Sequence, residues 1–180
     1  MATQAGRANA LKQDYVIEVT RSCAASPEAV YRLLADPRSH LIWGGERHGK
    51  GARLIGIDSE AVTLTVGSEF TSKGLDMMGG FDDRSVVTQA EPGRTLEFVT
   101  EARLTTKKGA IVDWTLIHRY AITPNDDGCT VDYTVRTTRI SALPGPMRLF
   151  NIPVLSGLIG RMASKGPRHG VANLIQMAEA

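Results

Sequence analysis

The chain is 180 residues long, 42% hydrophobic and 22% charged, proportions that exclude a disordered chain and leave room for one core rather than two. Twenty-one Lys and Arg against 19 Asp and Glu leave a net charge of +2, too weak a field to neutralise phosphates, so no nucleic-acid partner is expected. Its two cysteines, Cys23 and Cys129, lack CxxC spacing; they cannot build a disulfide framework, which makes a reduced, cytoplasmic setting the expectation.

Residues 1–13 are small, polar and mildly basic, without apolar periodicity, and read as a flexible leader to a single domain over 14–180. Tyr15, Ile17 and Val19 alternate with Val16, Glu18 and Thr20, the period of two of a half-buried strand. Ser26, Pro27 and Glu28 form a helix start, with an N-cap hydroxyl, a pre-set φ and a charge that suits the helix dipole. The helix from Pro27 to Ala35 then carries Val30, Leu33 and Leu34 on one face until Asp36-Pro37 stops it.

A short helical piece around Ser39–Trp43 and a glycine loop over 44–51 lead into strands expected at 52–58, 61–73, 82–91, 95–106, 110–123 and 128–140. Their separators include Glu91-Pro92-Gly93, Lys107-Lys108-Gly109 and Asn125-Asp126-Asp127-Gly128. Such connections hold no crossover helix, so consecutive strands must be antiparallel neighbours. Pro144 and Pro146 end the strand region. The stretch 146–178 is helical in composition but interrupted by Pro153, Gly157, Gly160 and Gly166-Pro167, which predicts a bent or broken helix. A seven-stranded sheet needs a cover for its hydrophobic face, and this helix is the only element long enough.

Several phrases resemble the START-like (SRPBCC, Bet v 1-like) superfamily, within it the polyketide cyclase/dehydrase and lipid-transport group. They are Val16-Ile17-Glu18-Val19, Ala25-Ser26-Pro27-Glu28-Ala29-Val30-Tyr31 with Asp36-Pro37 closing the helix, Val66-Gly67-Ser68-Glu69-Phe70, Ala90-Glu91-Pro92-Gly93-Arg94-Thr95-Leu96, and Trp114 to Pro124 followed by Gly128-Cys129-Thr130-Val131. The resemblance implies an α+β helix-grip fold: a curved antiparallel sheet of seven strands, short helices after strand 1, and a long, kinked C-terminal helix over an apolar cavity. The stretch Leu75–Gly80 is longer than a tight turn and reads as a flexible lip on that cavity. Fold alone does not name a reaction, since the superfamily holds carriers, cyclases, hydrolases and regulators.

Candidate chemistry divides quickly. Gly44 to Gly51 fits GxxxxGK, but Gly51 stands where a magnesium-binding hydroxyl is needed, and a strand rather than a helix follows. His40, His48, His118 and His169 have no metal-ligand spacing, and neither a metal nor another cofactor is expected. Trp114, Leu116, His118, Tyr120 and Ile122 share one face of a strand, which aims His118 under the helix. There it is either a core histidine or an acid/base group with a near-neutral pKa.

Tyr133 and Phe98 fall on the inward faces of neighbouring strands; Tyr31, Trp43, Phe70 and Phe81 are further aromatic candidates for the ligand-binding wall. Met77, Met78, Phe150 and Leu158 would complete it, methionine because thioethers repack cheaply. Arg84, between acidic neighbours, is either a salt-bridged surface residue or, if inward, a clamp for a ligand oxygen. The first function expected is binding of a small hydrophobic or aromatic molecule, lipid- or polyketide-like, in an internal cavity. The alternative is a cyclase/dehydratase-type enzyme in which His118 moves protons while Tyr31, Arg84 or Tyr133 orients oxygens. A third class, recruitment of a protein partner, has no positive feature. Basic residues around the apolar tail allow transient membrane contact at most.

Overall fold

The computed structural model describes residues 15–45, 53–76, 78–141 and 165–180. The leader, loop residues 46–52, Met77 and the segment 142–164, with Phe150, Leu158 and the expected Pro153–Gly160 bend, lie outside the described residues.

Strand β1 (Tyr15–Cys23) is followed by α1 (Pro27–Ala35) and α2 (Pro37–Trp43). Ser26 caps α1 by accepting the Ala29 amide at 3.2 Å, and Asp36 both ends α1 and caps α2 by accepting the Arg38 amide at 2.9 Å. Six strands come next: β2 (Arg53–Asp58), β3 (Glu69–Leu75), β4 (Gly79–Glu91), β5 (Thr95–Thr106), β6 (Ile111–Asn125) and β7 (Gly128–Ile140). Helix α3 (Lys165–Ala178) closes the order. All strand pairs are antiparallel, in the order β1-β7-β6-β5-β4-β3-β2, so the first strand crosses the whole chain to pair with the last.

Two expected boundaries are corrected. Residues 61–68 are a loop, not the first half of a strand: Gly67 has φ +85° and the Leu64 amide donates to Ala35 O at 2.7 Å, tying the loop to α1. The anticipated lip at Leu75–Gly80 is a hairpin. Asp76 Oδ1 accepts the amides of Met78 (2.6 Å) and Gly79 (2.9 Å), and Leu75 pairs with Gly80. Gly166-Pro167 lies within α3, and the residues before Lys165, where the rest of the expected interruption falls, lie outside the described residues.

The sheet has two unlike faces. The outer face carries ion pairs, Arg84–Glu69 (2.6 Å), Arg103–Asp113 (2.7 Å) and Arg119–Glu97 (3.3 Å) among them, each adding little stability in water. The inner face buries Leu96, Leu104, Val112 and Val131 completely, and α1, α2 and α3 add Val30, Leu34, Trp43, Val171 and Leu174 to that core. Bulges between Leu54/Gly56, Val87/Gln89 and Thr115/Leu116 bend the strands and sharpen their twist. Helix α3 packs on β1, α1 and α2, and Asn173 Nδ2 donates to the Trp43 carbonyl at 3.0 Å.

The β6–β7 turn depends on Gly128, at φ +136°, where a Cβ would overlap Cys23 O and stand 2.8 Å from Ala24 C. Gly128→Ala is expected to cost about 1–3 kcal/mol, read as a lower urea midpoint with unchanged slope.

Candidate functional site

Strand register assembles the site in rows across the inner face. One row runs Ile17, Val135, His118, Phe98, Val87, and the next runs Val19, Tyr133, Tyr120, Leu96. Helix α2 lays His40 and Trp43 over these rows. The result is a closed circuit of ring contacts. His40 meets Trp43 (centroids 4.7 Å apart) and Phe70 (6.1 Å); Trp43 meets Tyr120 (6.3 Å); Phe70 meets Phe98 (5.2 Å). Phe98 stacks on His118 (4.8 Å), His118 on Tyr133 (6.1 Å), and Tyr133 lies against Tyr120 (4.5 Å). Edge-on and offset geometries dominate, as ring quadrupoles prefer.

Polar atoms in this circuit are paired. His118 Nδ1 and Tyr133 Oη share a hydrogen bond at 2.7 Å, and the Tyr133 and Tyr120 rings lie against each other. His40 Nε2–H donates to the Leu34 carbonyl at 2.7 Å, and Trp43 Nε1–H donates to Ser39 Oγ at 3.2 Å. Desolvation pushes both imidazoles down to about 4, His118 further disfavoured by the neighbouring His40, so both are neutral at physiological pH. A His118 lowered to about 4 differs from the near-neutral value read for it as an acid/base group, because burial of the ring disfavours its charged form. Burial raises Tyr120 and Tyr133, keeping them phenols.

Of the expected ligand-binding residues, Trp43, Phe70, Phe98, Tyr120 and Tyr133 meet His118 in the circuit, and Tyr31 lies buried in the same core on α1. Trp114, Phe81 and Met78 gather instead around Leu104 and Val112, a second cluster further along the inner face. Leu116 stands between the two groups, in the row Tyr15, Thr137, Leu116, Thr100, Ser85, Phe70. Phe81, Trp114, Leu116 and His118 are only half-buried there. Arg84 is not among them: it points to the outer face and pairs with Glu69, because its neighbours Asp83 and Ser85 take the inward parity.

That parity exposes a residue the sequence reading passed over. Asp83 occupies the inner row Ile140, Trp114, Ala102, Asp83, Ser72, Ile57. Its Oδ1 is shielded from solvent and has no hydrogen-bond partner among the described residues. Burial, partly offset by the Arg103 backbone amide, pushes its carboxyl up to about 7. The signal was available as the alternation Phe81, Asp83, Ser85, Val87.

Cys23 and Cys129 face each other across β1–β7, both buried thiols, with burial pushing Cys129 up to about 11. No cluster of metal-ligating side chains occurs among the described residues. An open groove of about 310 Å³ at that sheet edge, lined by Ser22, Cys23, Ala24, Asn125, Asp127 and Glu179, has no aromatic wall and lies away from the ring circuit.

Comparison with known proteins finds likeness in fold only. No protein-family model and no curated protein matches the sequence. Among solved structures, Ara h 8.0201 superposes with a TM-score of 0.55 at 8% identity, covering 90% of this chain and 99% of its own. The chain has the helix-grip fold of Bet v 1-like structures. A protein from Rhizobium leguminosarum is similar at a TM-score of 0.64 and 14% identity, over 93% of this chain and 95% of that one. The di-domain ARO/CYC StfQ from the steffimycin biosynthetic pathway is similar at 0.62 and 14% identity, over 92% of this chain and 51% of its own. Within the helix grip described here, no helix is long and apolar enough to cross a membrane.

The buried groups set opposing pH dependences. His40 and His118 titrate near 4 folded and near 6.5 unfolded, so each removes on the order of 3 kcal/mol of stability as pH falls through that window. Asp83, raised from 3.8 to about 7, acts the other way: its contribution is full below 3.8 and lost as pH rises through 7. Urea denaturation of Asp83→Asn, freed of that opposing slope, is expected to lose stability on acidification from pH 6.5 to 4 more steeply than the parent.

Proposed function

We propose that the chain binds a small apolar or aromatic molecule, lipid- or polyketide-like, against the inner face of its sheet. The observation that carries this is the half-burial of Phe81, Trp114, Leu116 and His118, large side chains on the same face as fully buried Leu104 and Val112. Side chains of that kind gain from any apolar surface brought against them, at roughly 25 cal/mol per Å² removed from water. The polar groups nearest this apolar stretch, His118 and Tyr133, already hold each other, so they orient a ligand oxygen rather than supply the bulk of its affinity. A cytoplasmic setting belongs to this reading.

Leu116 sits where a ligand would bridge the two inner clusters. Leu116→Trp is expected to weaken binding of the naphthalene dye 1-anilinonaphthalene-8-sulfonate by about tenfold through lost space, with the far-UV spectrum retained. A parent protein that ignores the dye, or a variant that binds it equally well, refutes the reading.

A second reading, cyclisation of a poly-ketone chain, is favoured by the hydrogen-bonded pair His118 and Tyr133 and by the likeness to StfQ. Neutral imidazole and phenol would hold an enolising carbonyl oxygen by hydrogen bonds, and the walls would hold the reacting carbons close. In this reading His118→Ala lowers turnover of an aromatic-polyketide surrogate by about a hundredfold, and unchanged turnover removes His118 from the mechanism.

A further inference from the structure

The chain holds two cysteines, far apart in sequence, and the fold brings them together. Cys23 ends β1, Cys129 stands near the start of β7, and the two are direct cross-strand partners. Cys23 shares the inward parity of Val19 on β1, as Cys129 shares that of Val131 and Tyr133 on β7. Both sulfurs therefore lie on one face, and both residues belong to the same core cluster as free thiols. Directly opposed residues on antiparallel strands have Cα atoms about 4.5 or 5.5 Å apart, depending on the type of pair. Either spacing falls within the range of about 4.4–6.8 Å that a disulfide spans.

The two thiols are not equivalent. Cys129 is fully buried, and its Sγ–H donates to the Ala25 carbonyl at 3.4 Å. Burial, the facing Cys23 and the carboxylates of Glu28 and Glu179 push it up to about 11, so it keeps its proton at pH 7. Cys23, 3% exposed, helps to wall the open groove of about 310 Å³ at that sheet edge, together with Ser22, Ala24, Asn125, Asp127 and Glu179. It is also the last residue of the sheet's terminal strand, a position where local opening is easiest.

We propose that Cys23 and Cys129 form one modification site, a cross-strand dithiol that a hydroperoxide entering from the groove closes to a disulfide. Cys23 reacts first, as its thiolate, at one oxygen of the peroxide. An S–O bond forms, the O–O bond breaks, and the departing oxygen takes the thiol's proton, leaving as an alcohol or, from hydrogen peroxide, as water. The Cys129 sulfur then attacks the Cys23 sulfur. The S–S bond forms, the S–O bond breaks, and hydroxide leaves with the Cys129 proton as water. The two sulfurs together give up two electrons, which the peroxide takes. Closure withdraws the S–H from Ala25, the residue before the Ser26 cap of α1, and bonds the first strand covalently to the last. The site stands apart from the ligand-binding reading, since no ring of the circuit takes part.

The full chain with its own two cysteines supplies the first test. Hydrogen peroxide, added to the reduced chain and then removed with catalase, is expected to yield a monomer two hydrogens lighter and without free thiols. Its Cys23 and Cys129 peptides are joined, and dithiothreitol restores both thiols. Cys129→Ala, lacking the second sulfur, is expected to stop at a Cys23 sulfenic acid, which dimedone traps. In Cys23→Ala the Cys129 thiol is expected to outlast Cys23 of the other variant at least about tenfold. The parent arm needs no variant to fold. Thiols that persist in excess peroxide, sulfinic acid in place of the disulfide, or a disulfide between two chains overturns the site. Faster oxidation of Cys129 than of Cys23 overturns the order of reaction and the groove as its entrance.

Discussion

Register along β6 is the constraint on which the inner face depends. Trp114, Leu116, His118, Tyr120 and Ile122 point in, while Asp113, Thr115 and Arg119 point out to ion pairs and hydrogen bonds with Glu97, Glu101 and Arg103. A slip of one residue would exchange the two sets and drive charges under the helices, at a cost no rearrangement of rings offsets. The neighbours leave no freedom to slip. Strand β6 is paired over most of its length with both β5 and β7, and a bulge in β7 at Thr138, opposite Thr115/Leu116, pins that side. The outer ion pairs matter here less for energy than for choosing between the two possible faces.

Given that register, dryness determines the chemistry. The same desolvation that holds His40 and His118 neutral favours the protonated form of Asp83, so bases lose protons and an acid keeps one. Each group is tolerated for a different reason. His40 donates to a carbonyl and His118 bonds a phenol, so neither is left wanting as a neutral ring. Asp83 has no such arrangement for Oδ1 among the described residues. The asymmetry is what separates polar groups that complete the core from a polar group that the core leaves open.

Much of this was legible in the sequence because period-two alternation and turn residues are local signals. The strands from 95 to 140 emerge from the alternation of Leu96, Phe98, Thr100 and of Val131, Tyr133, Val135, with positive-φ glycines at 93, 109 and 128 marking their ends. The Ser26 cap and the Asp36 stop are equally local. Where reading failed, a local pattern met a tertiary preference. Val62, Leu64 and Val66 alternate like a strand, yet only Leu64 is buried, held by α1, while Val62 and Val66 are 69% and 64% exposed. Arg84 drew attention because charge is conspicuous, whereas the residue with the inward parity was the aspartate beside it.

The neutral state of His118 bears on how a helix grip divides carrying from catalysing. A histidine near 4 is a weak general base at pH 7, since its conjugate acid is too acidic to keep an abstracted proton, and too little of it is protonated to act as a general acid. What it offers is a fixed dipole beside Tyr133, which can receive an oxygen without reorganising. Such a dipole orients a passenger and a transition state by the same contact. It becomes catalytic only where the passenger gains negative charge on that oxygen during reaction, because interactions equal in both states accelerate nothing. In the two readings proposed above, the difference between a container and a cyclase therefore lies in the reactivity of what enters, and walls with a few fixed polar groups would serve either.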